Sequence, residues 1–266
     1  MIGLWLILFF LLGAAIGSFL NVLTDRLPAG MSLVSPPSHC PECQRRLSAR
    51  DVVPIFSYLW LKRRCRYCKS PIPIRLFWVE LGTGLLFAFL YWNYGLGWEL
   101  LIIAVYCCLF IALLITDLEH NVLPNKIIYP GMVIALILAV LGSIFDFGLT
   151  GVTGLGFRLW IVNAVIGGGI GFVLLLIPAL IYRGGMGGGD IKLAGLIGLV
   201  TGFPLVFVAL FLAIVSGGLA AAIMVLAKLK RRKDTIPFGP FLCVATMVTL
   251  FWGSDLLNWL ASHLSL

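Results

Sequence analysis

Charge is scarce in this 266-residue chain: Asp, Glu, Lys and Arg together make up 11% of it, under half the ~25% of an average soluble domain. Acids are scarcer than bases, 11 against 19, and there are only three His. With 61% of its residues apolar, a soluble globule of this length would carry Leu and Phe over its rim. That excludes an ordinary soluble enzyme and a disordered tail. Seven Cys are too few for a disulfide-built secreted domain of this size. No Lys or Arg precedes the first apolar run, Ile2 to Leu23, whereas Arg26 follows it. Those flanks are the reverse of a signal peptide's, so the run reads as a retained helix. What remains is an all-α polytopic membrane protein.

The net charge of +8 is uneven. Ten of the nineteen basic residues fall between Asp25 and Arg75, and a second knot is Lys228, Lys230, Arg231, Arg232 and Lys233. Both lie between apolar runs, which argues against nucleic-acid binding and places them on the cytoplasmic side by the positive-inside rule. Further spans are expected at about Leu76–Tyr94, Leu100–Thr116, Ile127–Phe145, Trp160–Tyr182 and Phe238–Leu260. The stretch Asp190–Ala227 is too long for one crossing. Its turn chemistry at Thr201-Gly202-Phe203-Pro204 splits it into a short helix and a long one. About eight transmembrane helices result, and that parity keeps both basic loops on one side. The expected organisation is a first helix over 1–24, a cytoplasmic insert over 25–75, and a seven-helix membrane domain over 76–266.

The insert carries Cys40-Pro-Glu-Cys43 and, twenty-one residues on, Cys65-Arg-Tyr-Cys68. Two C-x2-C knuckles supply four thiolates, the ligand set of a tetrahedral structural zinc site and a zinc-ribbon-like module. Disulfides are the rival reading, disfavoured on the cytoplasmic side because thiols there are kept reduced. A polar insert of this size has little core of its own, so a metal meets a stability need. His39 adjoins Cys40 and is an alternative ligand, while Cys107, Cys108 and Cys243 lie in apolar spans and read as packing residues.

Acids at span ends are functional candidates. Asp117 closes the apolar run ending in Thr116, and Asp190 follows Gly184-Gly-Met-Gly-Gly-Gly189. Two carboxylates at one depth can share a proton, one acting as base on water and the other as acid to a carbonyl. The plainer readings are an interfacial loop residue for Asp117 and a helix N-cap for Asp190. Asp117 follows a helix and Asp190 precedes one, so the helix dipoles assign the base role to Asp190 and the acid role to Asp117. A glycine-rich approach lets backbone pass close to backbone, as an extended peptide in the site requires. The P-loop order is missing.

Gly187-Gly188-Gly189-Asp190-Ile191-Lys192 resembles the GxGDxK motif of the type IV prepilin peptidases, intramembrane aspartyl proteases of the GxGD class. Asp117 with Leu123-Pro124-Asn125 is similar to their first catalytic motif. So are Gly17-Ser-Phe-Leu-Asn-Val22 with Arg26-Leu-Pro28, the paired C-x2-C insert, Arg75 with Val79-Glu80-Leu81, and Ile236-Pro-Phe-Gly-Pro240. Leu76-Phe77-Trp78 departs from the Tyr-Pro common after that Arg. The resemblance implies a bifunctional enzyme of the bacterial inner membrane with Asp117 and Asp190 catalytic. It would cleave the basic leader of type IV prepilins or type II secretion pseudopilins on the cytoplasmic side. It would then N-methylate the new N-terminus with S-adenosylmethionine. No glycine loop marks a site for that donor; Glu80 and Asn21 are polar candidates near cytoplasmic span ends. A cationic insert suits anionic lipid contact or methyl-transfer scaffolding rather than binding a basic leader. A proton-relaying transporter is the competing class, but such folds favour midplane sites and inverted repeats.

Overall fold

The computed structural model describes residues 2–35, 37–145, 160–181, 187–228 and 237–264, with the backbone alone at 260, 261 and 264. Helices dominate, and the described residues form no strand, only two isolated bridges, His39 with Arg46 and Arg64 with Pro71. Among the described residues, seven helices are long and apolar enough to cross a membrane, the architecture of a multi-pass membrane protein. The chain divides into two compact units, Met1–Ala104 and Val105–Leu266.

The first unit is built on α1 (Ile2–Arg26) and α3 (Ile74–Tyr94), with α2 (Phe56–Trp60) in the insert between them. Glycine lets the two long helices meet backbone to backbone. A Cβ on Gly13 would come 2.5 Å from the Thr83 carbonyl oxygen, and one on Gly84 2.9 Å from the Phe10 ring. Near the start of α1, Phe9 stacks on Tyr91 with ring centroids 4.8 Å apart. At its other end Arg26 is buried and donates to the carbonyls of Ser32 and Leu33, closing the chain into the insert. Asp25 and Arg75 then pair at 2.6 Å where the chain leaves and re-enters the hairpin.

The second unit holds the end of α4 (Trp98–His120), then α5 (Asn125–Phe145), α6 (Trp160–Ile181), α7 (Gly188–Thr201), α8 (Leu205–Leu226) and α9 (Gly239–Leu264). The expected break at 201–204 is where α7 ends and α8 begins. There the Phe203 N–H donates to Asn163 Oδ1 at 2.8 Å, and Gly202 takes φ +69°. With 14 residues, α7 is about 21 Å long and shorter than a ~30 Å hydrocarbon core. It is also the most enclosed helix: Leu193, Ala194, Leu196 and Ile197 are 0% exposed. Its backbone lies directly on α6, since a Cβ on Gly167 would strike the Gly198 carbonyl, and one on Gly198 the Gly167 carbonyl.

Three helix ends run past expectation: the first span to Arg26, the fourth helix to His120 rather than Thr116, and the last to Leu264 rather than Leu260, because polar residues continue a helix where its last turn is supported. Tyr182, the first half of the loop 183–190 with Gly184 to Met186, and the basic knot from Lys230 to Lys233 with Ile236 lie outside the described residues.

Candidate active site and metal centre

Asp117 is in the last turn of α4 and only 6% exposed, not an interfacial loop residue. Asp190 is in the first turn of α7, half-buried, and the cap of that helix is Gly187, whose carbonyl accepts the Asp190 N–H at 3.1 Å. Asp190 is therefore not the cap of its own helix, and the Gly187 backbone N–H lies against its carboxylate. The two carboxylates lie close enough to interact electrostatically. Buried Cys243 on α9 is within electrostatic reach of both.

A third helix end completes the site. Gly239 opens α9 against Asp117: a Cβ there would come 2.5 Å from Asp117 Oδ2. Only glycine allows that approach. Asp117 thus faces the N-terminal end of α9 although it rides on the C-terminal end of α4. Asp117 therefore lies between a C-terminal and an N-terminal helix end, whereas Asp190 has an N-terminal end alone, which narrows the dipole bias expected between them. Asp117 Oδ2 is buried with no hydrogen-bond donor among the described residues. Such an acceptor calls for a water or a shared proton.

The two sequence motifs are also latched together. A Cβ on Gly189 would meet Leu123 at 3.0 Å. Lys192 Nζ donates to Asn125 Oδ1 at 3.0 Å and lies 5.5 Å from the centre of the Tyr129 ring. Leu123-Pro124-Asn125 therefore braces the segment that presents Asp190. Cys243 and Tyr129 gave no sequence signal of a site role, and Gly239 stood in a motif without its partner Asp117 being legible, because these partners are distant along the chain.

In the first unit, the Sγ atoms of Cys40, Cys43, Cys65 and Cys68 all lie within 4.8 Å of one another. Four sulfurs at ~2.3 Å from one ion would stand about 3.8 Å apart. Cys40 and Cys68 are 3.7 Å apart, far beyond a disulfide's ~2.05 Å, and all four thiols are free. His39 is outside the cluster and its Nδ1 contacts the Pro37 carbonyl. The knuckles share one backbone pattern. The Cys40 N–H donates to Arg45 O and the Gln44 N–H to Cys40 O; likewise Cys65 to Ser70 O and Lys69 to Cys65 O. Gln44 and Lys69, each just past the second Cys, take φ of 55° and 62°.

The donor chemistry matches a cation. The backbone N–H of Cys43, then the Ser70 hydroxyl, hold the Cys40 thiol down at about 6 against desolvation. Ser70 also lowers Cys68 through its hydroxyl and its N–H. The Arg45 N–H pulls Cys43 down, but desolvation and the Cys68 and Cys40 sulfurs outweigh it and push that thiol up to about 11. Crowded sulfurs resist a full set of negative charges, and a dication at their centre removes the resistance. Asp51 ties the loop beneath them. Burial opposes its charge, but the Ser48 hydroxyl and N–H and Arg66, 2.6 Å away, keep its carboxyl below the usual range.

Residues 11–94 match the bacterial peptidase A24 N-terminal domain, and residues 104–222 match the type IV leader peptidase family. The chain belongs to that family. Three relatives named prepilin leader peptidase/N-methyltransferase align over nearly all of both chains. They are 30% identical in Bacillus subtilis (94% of this chain, 95% of the relative), 30% in Aeromonas hydrophila (96% and 93%) and 31% in Xanthomonas campestris (93% and 91%). No solved structure matches the chain significantly. The two matched regions cover both the thiol cluster and the paired carboxylates.

Proposed function

We propose that this leader peptidase cleaves the basic leader of a type IV prepilin or pseudopilin with Asp117 and Asp190 as its catalytic pair, then N-methylates the new N-terminus with S-adenosylmethionine. The observation that carries the reading is the pair of interacting carboxylates at helix ends in a membrane-spanning unit, one oxygen of Asp117 buried without a donor. One carboxylate takes a proton from water as it attacks the scissile carbonyl, and the other gives a proton to the developing oxyanion or leaving amine. The contact of Gly189 with Leu123 and of Lys192 with Asn125 supports the reading by bracing the turn that carries Asp190.

The positive-inside rule puts the insert and both carboxylate-bearing helix ends on the cytoplasmic side of the inner membrane, where a cationic leader would remain. Cys40, Cys43, Cys65 and Cys68 hold a structural zinc, which joins the two knuckles. Exposed Phe56, Leu59 and Trp60 beside Lys62, Arg63 and Arg64 suit contact with anionic lipid, and nucleic acid has no place in this reading. The test is cleavage of a prepilin in detergent or vesicles. Wild type should release the leader, and Asp117→Asn or Asp190→Asn should not while remaining folded. Substantial cleavage by either variant removes that residue from the mechanism.

A further inference from the structure

Methyl transfer still lacks residues, and the first unit holds chemistry that no step above uses. Gly17 of α1 lies against α3, where a Cβ would come 2.9 Å from Glu80 Cα. One turn on, Asn21 is 3% exposed and donates from Nδ2 to the Leu76 carbonyl at 3.2 Å, one turn before Glu80 on α3. Asn21 Oδ1 has no donor among the described residues. Glu80 is 9% exposed. Its Oε2 accepts the Ile55 N–H at 2.7 Å, and the Ser18 hydroxyl is beside it.

The ion pairs among the described residues are Asp51 with Arg66 and Asp25 with Arg75. Glu80 is in neither. A buried carboxylate without a cation is costly, and so is a buried amide oxygen without a donor. Here they sit one turn apart along a single seam. A primary ammonium supplies what both lack, a positive charge and several N–H groups. The unit's other acids are engaged or remote: Glu42 is exposed on a knuckle, and Glu99 opens α4, beyond the far end of α3.

We infer that Glu80, with Asn21, binds the newly exposed α-ammonium of the cleaved substrate and takes its proton before methyl transfer. The inference rests on the bifunctional reading above. The ammonium gives one proton to the Glu80 carboxylate, which leaves a lone pair on nitrogen. That pair forms the new N–C bond to the methyl group of a sulfonium donor. The methyl–sulfur bond breaks with its electrons remaining on sulfur as a neutral thioether, and the product is a singly methylated ammonium. The Ile55 contact is an anchor for the insert, but it occupies one oxygen and needs no charge.

Glu80→Gln separates these roles, because the amide oxygen still accepts from Ile55 while the charge is gone. The full chain is used, with zinc content as the check on folding. Three quantities are read: leader cleavage, methylation of the released N-terminus, and binding of a leader-less peptide with a free amine against its N-acetyl form. Glu80→Gln should keep its zinc and cleave within about threefold of wild type. Its methylation should fall about 100-fold or more, and the wild-type preference for the free amine should vanish. Asn21→Ala should weaken that preference less. Methylation within threefold of wild type, or an unchanged free-amine preference, overturns the inference. Loss of donor binding in Glu80→Gln with the peptide preference intact also overturns it, moving Glu80 to the donor's own α-amine. A wild type that cleaves but never methylates overturns the bifunctional reading instead, and the binding preference still decides whether Glu80 holds an ammonium.

Discussion

The four thiols and the two carboxylates are held by opposite means. The thiols come from polar loops: Cys43 and Cys68 are exposed, and turn hydrogen bonds shape the knuckles. Asp190 rides on α7, whose core-facing side chains are fully buried and whose backbone is pressed onto α6. The difference suits what each cluster would do in the proposed enzyme. A metal supplies its own bonds, so loose loops suffice to present ligands. A carboxylate pair has no bond between its members, and only a rigid scaffold keeps two acids near enough to share a proton.

If the two sites are separate in this way, each can be destroyed without the other. The largest effect is expected at the carboxylates. Asp117→Asn or Asp190→Asn should lower cleavage at least about 10³-fold, as loss of one member of a catalytic unit does. The same variants should still methylate a peptide supplied without its leader. Methylation lost in parallel with cleavage would show that the sites are one.

The reciprocal experiment removes the metal. Replacing Cys40, Cys43, Cys65 and Cys68 by Ser should abolish binding of about one zinc per chain. Methylation should fall by ~100-fold, with cleavage changed less than about fivefold. Zinc-free protein that still methylates normally would leave the knuckles without a structural role, and a matching loss of cleavage would refute the division of labour.

A smaller and more local effect sharpens the contrast. Gly239→Ala puts a Cβ against Asp117 Oδ2, and a displacement of about 1 Å can cost ~10²-fold in rate. Cleavage should drop 10- to 100-fold with methylation of a leader-less peptide unchanged. A cleavage rate equal to wild type would mean that α9 can shift away from the carboxylate at no cost.

These variants also mark what sequence could and could not disclose. Spans, the break before Pro204, the thiol pairs and the two acids were legible, because each leaves a local trace in hydropathy, turn chemistry or spacing. Gly239 at Asp117, Gly167 at Gly198 and Lys192 at Asn125 were not, since close approach of distant backbones has no local period. The knuckles' shared hydrogen bonding was visible only as Cys-x2-Cys, because Gln44 and Lys69 reach positive φ without glycine. The bias drawn from helix ends is narrowed for the same reason: α9 brings an N-terminus to Asp117 that the order of residues does not announce.

The smallest expected effect lies beneath the thiols. Asp51 accepts from the Ser48 N–H at 3.1 Å and its hydroxyl at 2.9 Å, and pairs with an Arg66 whose side chain is 43% exposed. An exposed partner contributes little through solvent, so the bonds to Ser48 should dominate. Asp51→Asn should therefore speed zinc loss to a chelator at neutral pH by about three- to tenfold, on the scale of the ~1 kcal/mol by which a charge-assisted bond exceeds a neutral one, and Arg66→Gln by less. The sign with pH follows from the carboxyl being held low in the folded chain. Its contribution is complete above the unfolded value of ~3.9 and is lost only as pH falls through the lower folded value. The excess rate of Asp51→Asn should thus stay constant across pH 6–8. An excess that disappears within that window, or a larger effect for Arg66→Gln, would mean the ion pair rather than the Ser48 bonds holds the loop.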